Sequence, residues 1–167
     1  MTRKIYHIIE SIALFFWHLL FKIIGKEVSE EGDRNFIQFV RFGLVGLSNT
    51  VVSYAIYTVT LLIFRAAGLF PGIDYYIATV VSFILSVAWS FYWNNRFVFK
   101  QGEDGRSMFG SLLKCYASYS ITGLGVNNLL LFLWVNVLGI SAFLGPLLSL
   151  IITVPLNYIL NKFWAFK

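Results

Sequence analysis

Charge is scarce in this 167-residue chain: 13% of its residues are Asp, Glu, Lys or Arg, against about 25% in an ordinary soluble domain. Hydrophobic residues make up 58% and mean hydropathy is +0.74. A soluble globular domain is excluded and an integral membrane protein is indicated. Cysteine is almost absent. The lone Cys115 excludes an intrachain disulfide and cannot form a thiolate metal cluster by itself. No Asp, Glu, His, Lys or Arg lies deep in any long apolar run, so the embedded carboxylate of a proton-coupled exporter is missing. The two histidines, His7 and His18, are too far apart for a metal pair on one helical turn. No nucleophile–base pair, phosphate-cradling glycine loop or acidic metal motif is present. The expectation is no enzyme, no cofactor and no metal.

Four apolar runs are long enough to cross a bilayer: 42–64, 75–98, 112–138 and 142–165. Each exceeds the ~20 residues that cross a ~30 Å hydrocarbon core, and only helix satisfies the backbone of such a run. Of 13 basic residues, 12 fall on one side of these spans. They are Arg3, Lys4, Lys22, Lys26, Arg34 and Arg41 before the first span, Arg96, Lys100, Arg106 and Lys114 around the middle loop, and Lys162 and Lys167 at the end. Arg65 alone lies between the first two spans. Basic loops stay inside, so both termini and the middle loop are expected in the cytoplasm of a bacterial cell, with the protein multi-pass in its inner membrane. The net charge of +5 then reports topology and contact with anionic lipids rather than nucleic acid.

Residues 5–24 are apolar but interrupted. His7, Ser11, His18 and Lys22 share one helical face beside Glu10, which reads as an amphipathic helix in the headgroup plane. A fifth span is the alternative. Residues 25–34 read as a solvated linker. The expected fold is all-α: an N-terminal interfacial helix and linker over 1–35, then four transmembrane helices over 36–167, arranged as two hairpins in parallel repeat.

A repeated signature supports that repeat. Asn94-Asn95-Arg96-Phe97-Val98-Phe99-Lys100 and Asn161-Lys162-Phe163-Trp164-Ala165-Phe166-Lys167 both read Asn-x-x-aromatic-x-Phe-Lys. Upstream, Ser82, Ser86, Ser90 and Asn94 step by four, and Ser149, Thr153, Asn157 and Asn161 match them. Each series lies on one helix face. Two explanations stand side by side: close helix packing with hydroxyls bonded to their own backbone, or a polar path for a headgroup. The motif ends fit an interfacial aromatic anchor, but an anchor does not account for an Asn at the same offset in both halves. Asn49, Asn127 and Asn128 lie inside spans, where an amide requires partners. Gly43, Gly46 and Thr50 accompany Asn49 and would let helices approach closely there.

Together with Arg41-Phe42-Gly43-Leu44-Val45-Gly46 and four spans, the two Asn-x-x-aromatic-x-Phe endings resemble the GtrA-like membrane proteins over residues 36–167. The first 35 residues are an addition. The resemblance implies translocation of a polyprenyl-phosphate-linked sugar across the cytoplasmic membrane for cell-surface polysaccharide glycosylation, beside a membrane glycosyltransferase. Recruitment of such an enzyme by a non-transporting anchor is the alternative it also implies. On the transport reading, Arg41, Arg96 and Lys162 would meet the phosphate. Ser86, Ser90, Asn94, Thr153, Asn157 and Asn161, with Asn49, Asn127 and Asn128, would replace sugar hydration. Trp93, with Trp89 and Tyr158, would stack on sugar faces. Four helices leave little room for a sugar, which makes a homodimer attractive.

Overall fold

The computed structural model describes residues 2–99, 107–141 and 144–167. Lys100 and Arg106 of the middle loop, and the first two residues of the expected fourth span, lie outside the described residues. All regular structure among the described residues is helical. Helix α1 is Thr2–Ile24 and α2 is Glu30–Ala66. Helix α3, Asp74–Trp93, runs on into a π-helical turn, Asn94–Val98. Helix α4, Met108–Ser120, is joined to α5, Asn127–Phe132, by a π-helical stretch, Ile121–Val126. Helix α6, Gly145–Leu160, again ends in a π turn, Asn161–Ala165. Five helical stretches are long and apolar enough to cross a membrane: His7–Ile24, Glu30–Ala66, Asp74–Val98, Met108–Val137 and Leu147–Ala165. The four expected spans fall within helix over their described residues except at Leu138 and Leu144, and α1 adds a fifth stretch of sufficient length.

Residues 25–34 are not a linker throughout. Helix α2 already begins at Glu30. Ser29 caps it, its Oγ accepting from Gly32 N at 3.1 Å, and Glu30, Glu31 and Asp33 occupy the first turn, where carboxylates meet the positive end of the helix dipole. The acidic run that looked like solvated linker is a helix start. The turn proper is Gly25–Ser29. Gly25 adopts φ +72° and closes α1 with two bonds, Gly25 N to Lys22 O at 3.2 Å and Lys26 N to Phe21 O at 3.0 Å. Only glycine takes that left-handed position without strain.

Helix α1 folds back antiparallel on α2. Glu10 lies level with Arg41 at 2.7 Å, Trp17 stacks on Phe36 at 4.4 Å, and His18 meets Asp33 at 2.9 Å. Its outer side exposes Ile8, Ile12, Phe15, Phe16, Leu19 and Ile23. Helices α2 and α3 pack along each other as one hairpin, and α4–α5 with α6 form the second.

The buried core lies at the end where both π turns converge. It contains Phe42, Val45, Val87, Phe91, Val98, Phe99, Cys115, Ala165 and Phe166. This end also carries Arg34, Arg41, Arg96, Lys114 and Lys162; it is called the basic end below. Here the repeated signature shows its structural content. Asn94 O accepts from Phe99 N at 2.8 Å, and Asn161 O accepts from Phe166 N at 2.9 Å. The five-residue step from Asn to Phe in the motif is the i→i+5 bond of a π turn. The two phenylalanines then meet, with Phe99 stacked on Phe166 at 4.6 Å. Such an aromatic pair contributes about 0.5–1.5 kcal/mol beyond its burial.

Candidate functional site

The polar stripe of α3 points into the protein. Ser82, Ser86, Ser90 and Asn94 are all buried. Ser82 donates to Thr79 O at 3.0 Å and Ser86 to Phe83 O at 3.3 Å, the local backbone bonding expected of hydroxyls in an apolar helix. Ser90 shares a 2.6 Å hydrogen bond with the Tyr119 hydroxyl, and Asn94 Nδ2 donates to Ser90 Oγ at 3.1 Å. Asn161 is buried as completely. Its Nδ2 donates to Asn157 O at 2.8 Å and Asn157 Oδ1 at 2.9 Å, and its Oδ1 accepts from Cys115 Sγ at 3.2 Å. The two stripes therefore meet α4 at Tyr119 and Cys115. Ser82 to Asn94 and Asn161 belong to a buried internal network, whereas Thr153 and Asn157 of the α6 stripe face an open groove.

Helix α4 carries a third polar stripe that the sequence reading passed over. Ser111, Cys115, Ser118 and Thr122 step by four, three and four, and all are buried. That spacing was visible in the sequence. Tyr119 lies on the neighbouring side and joins the network to a groove.

The groove, about 670 Å³, runs between α2, α4–α5 and α6. Asn49 and Thr50 supply one wall, Tyr119, Thr122 and Asn127 a second, and Thr153 and Asn157 the third. Asn49 Oδ1 is buried and has no hydrogen-bond partner among the described residues. A polar atom in that state is costly in an apolar surrounding unless a visiting donor meets it. Leu47, Leu147 and Leu150 also line it and are exposed, so the groove opens on the apolar outer surface. Gly43, Gly46 and Gly123 also line it. A Cβ at any of these three would meet nothing within 4 Å. The expected close helix approach at Gly43 and Gly46 is thus absent; the missing side chains leave space.

At the basic end lies a cleft of about 720 Å³, lined by α1, α2 and the π-helical ends that follow α3 and α6. Arg34, Arg41 and Lys162 bring three cations to it and Asp33 one carboxylate, with Asn35, Gln38, Phe99 and Phe166 completing the lining. Lys162 Nζ donates to Asn35 Oδ1 at 2.7 Å, and Arg41 Nε to Glu10 Oε1 at 2.7 Å. On α2 the cleft ends at Arg41 and the groove begins at Phe42. Tyr158 sits at this junction. Its hydroxyl donates to Gln38 Oε1 at 2.9 Å and its ring lies 5.4 Å from that of Phe42.

Of the residues singled out from sequence, Asn49, Asn127, Thr153 and Asn157 come together in the groove, and Arg41 and Lys162 in the cleft. Ser86, Ser90, Asn94 and Asn161 lie in the buried network instead. Asn128 is exposed and off the groove wall. Arg96 is exposed and donates to Tyr92 Oη at 3.2 Å, away from the cleft. Trp93 packs at 5.1 Å on Phe97 and at 5.4 Å against Trp89. Tyr119, Thr122, Gln38 and Asn35 are the site residues that sequence reasoning did not find.

Several apolar helices around an amide-lined groove with a basic mouth define a multi-pass α-helical membrane protein. The GtrA/DPMS transmembrane domain matches residues 41–166, and the chain belongs to that family. It is also similar to an uncharacterized membrane protein, YwcD, of Bacillus subtilis (strain 168). The two are 25% identical over 124 residues, 74% of this chain and 92% of the relative.

Proposed function

We propose that this protein translocates a polyprenyl-phosphate-linked monosaccharide across the bacterial cytoplasmic membrane, for glycosylation of a cell-surface polysaccharide. The observation that carries the reading is the end-to-end arrangement of a three-cation cleft and an amide-lined groove that opens on the apolar outer surface. A lipid-linked sugar has three parts, and each finds its chemistry here. Cations receive the phosphate; Lys162 and Arg41 are placed for this. Asn49, Asn127, Asn157, Thr50 and Thr153 offer donors and acceptors in place of the water that the sugar leaves behind. The polyprenyl tail stays in the bilayer beyond the exposed leucines. No carboxylate lines the groove, so transfer runs down the gradient set by consumption of the lipid on the far side.

The basic end is the cytoplasmic end on this reading, where a membrane glycosyltransferase supplies the lipid-linked sugar. Helix α1 rests at the interface. Helix α2, with 37 residues, is about 55 Å long against a ~30 Å core, so part of it projects. The pairings of α1 lie with that projecting part, at Asp33, Phe36 and Arg41. Cysteine labelling checks the orientation. In a Cys115→Ser background, Gly72→Cys in the α2–α3 turn should label from outside in intact cells. Labelling only after permeabilisation would reverse the orientation. Native Cys115, fully buried, should resist reagents from either side.

Proteoliposomes test the activity. Purified protein in vesicles loaded externally with polyprenyl-phosphate sugar should deliver it to an enclosed glycosyltransferase well above empty vesicles. Transfer no faster than the empty control, together with stable association with the glycosyltransferase, would favour the recruiting anchor.

A further inference from the structure

We infer that α1 is a strap over the basic cleft, with the Glu10 carboxylate standing on Arg41 where an incoming phosphate group has to bind. The inference rests on the cleft being the phosphate-receiving mouth, and it adds regulation to that mouth.

Three observations carry it. First, Glu10 and Arg41 belong to different parts of the chain. The matched family domain begins at Arg41, whereas Glu10 lies in the added helix outside it. Glu10 Oε1 is 2.7 Å from Arg41 Nε, with the glutamate side chain 13% exposed and that of the arginine 35%. A carboxylate on a partly buried guanidinium occupies the place that a phosphate oxygen would take. Withdrawing it without replacement leaves a poorly solvated cation, while replacement by another oxyanion restores the pair. Second, α1 reaches the cleft itself: Leu14 lines it beside Arg34, Arg41 and Lys162. Third, the strap is held by contacts that can be broken and remade. His18 Nε2 lies 2.9 Å from both oxygens of Asp33 in an exposed pair, and Trp17 stacks flat on Phe36. Exposed ion pairs of this kind are weak. The apolar outer side of α1, with Ile12, Phe15 and Leu19 exposed, matches a membrane surface. The helix can move off the cleft within the bilayer interface without turning that side to water.

The strap therefore competes with phosphate for one cation. Its removal should strengthen phosphate binding rather than weaken it, the opposite of what simple structural damage would do.

The full chain in phosphatidylcholine nanodiscs is titrated with dodecyl phosphate and, in a parallel arm, with inorganic phosphate. Glu10→Gln keeps the shape of the side chain and removes its charge. It should tighten dodecyl phosphate binding about tenfold, equivalent to about 1.4 kcal/mol. His18→Ala loosens the strap away from Arg41 and should tighten binding by a smaller factor; it keeps the test decisive if Glu10→Gln misfolds. Adding Arg41→Gln to Glu10→Gln should abolish the gain. A gain for dodecyl phosphate alone supports the strap over a lipid-borne phosphate. The same gain for inorganic phosphate supports the strap with the bare phosphate group as ligand. If native protein and both α1 variants bind the probes equally, the strap is overturned and the phosphate mouth stands. If none binds either probe, the phosphate reading falls and the strap with it.

Discussion

Replacing Gly46 or Gly123 with leucine is expected to block lipid-linked sugar transfer while leaving the protein folded. Both glycines line the groove, and a Cβ at either would meet nothing within 4 Å. The first carbon of a side chain therefore enters without displacing a neighbour, and a helical glycine replaced by leucine gains roughly 0.5–1 kcal/mol of helix propensity. What changes is the groove. A four-carbon side chain from either wall covers the amides of Asn49 and Asn127 and takes the space of a sugar ring. Transfer should fall to a tenth or less of the native rate, the effect of about 1.4 kcal/mol on a barrier. The proteoliposome assay measures the rate, and thermal melting in detergent measures the fold. Native transfer by a stable Gly46→Leu protein would remove the groove from the path.

Asn161→Leu should act in the opposite manner, through the fold. Asn161 is fully buried and makes three hydrogen bonds, two to Asn157 and one from Cys115. Leucine removes all three; Asn157 O keeps the backbone N–H of residue 161, while Asn157 Oδ1 and the Cys115 thiol lose this contact. Hydrogen bonds between membrane helices contribute about 0.6–2 kcal/mol, and each orphaned buried group costs about 1–3 kcal/mol. A loss of about 2–4 kcal/mol is expected, seen as a lower melting temperature and a lower yield. Asn94→Leu should cost less, about 1–2 kcal/mol, because its Nδ2 donates to Ser90 while its Oδ1 has no partner among the described residues. A place on an open headgroup path would leave both leucine variants folded and unable to transfer. Their burial shifts the expected defect to stability. A stable Asn161→Leu protein that cannot transfer would put this amide back on the path.

Much of this was legible in the linear chain. Run lengths pointed to four helical stretches, which in the structure include 42–64, 75–98, 112–137 and 145–165, because only helix satisfies a backbone in lipid. The 67-residue offset between Asn94 and Asn161 marked two related halves, and each indeed ends in the same π turn. One helical start was harder. The acids at 30–33 resemble linker when judged by polarity alone, and they become a helix start only when Ser29 is recognised as a cap.

The site divided differently. Periodicity placed Ser82 through Asn94 and Ser149 through Asn161 on single helix faces, and that much was determined by spacing. Which neighbour each face meets is a property of helix rotation and packing, which spacing does not encode. The tertiary structure turned the α3 stripe against Tyr119 and enclosed it, while α6 kept only Thr153 and Asn157 on the groove. It also decided the sense of the glycines. A small residue in a membrane helix serves close approach or empty space equally well, and only the positions of the facing helices show that Gly43 and Gly46 border space. The pairing of Glu10 with Arg41 was beyond the sequence for the same reason. Two opposite charges 31 positions apart meet only because the Gly25 turn folds α1 back along α2 in one register.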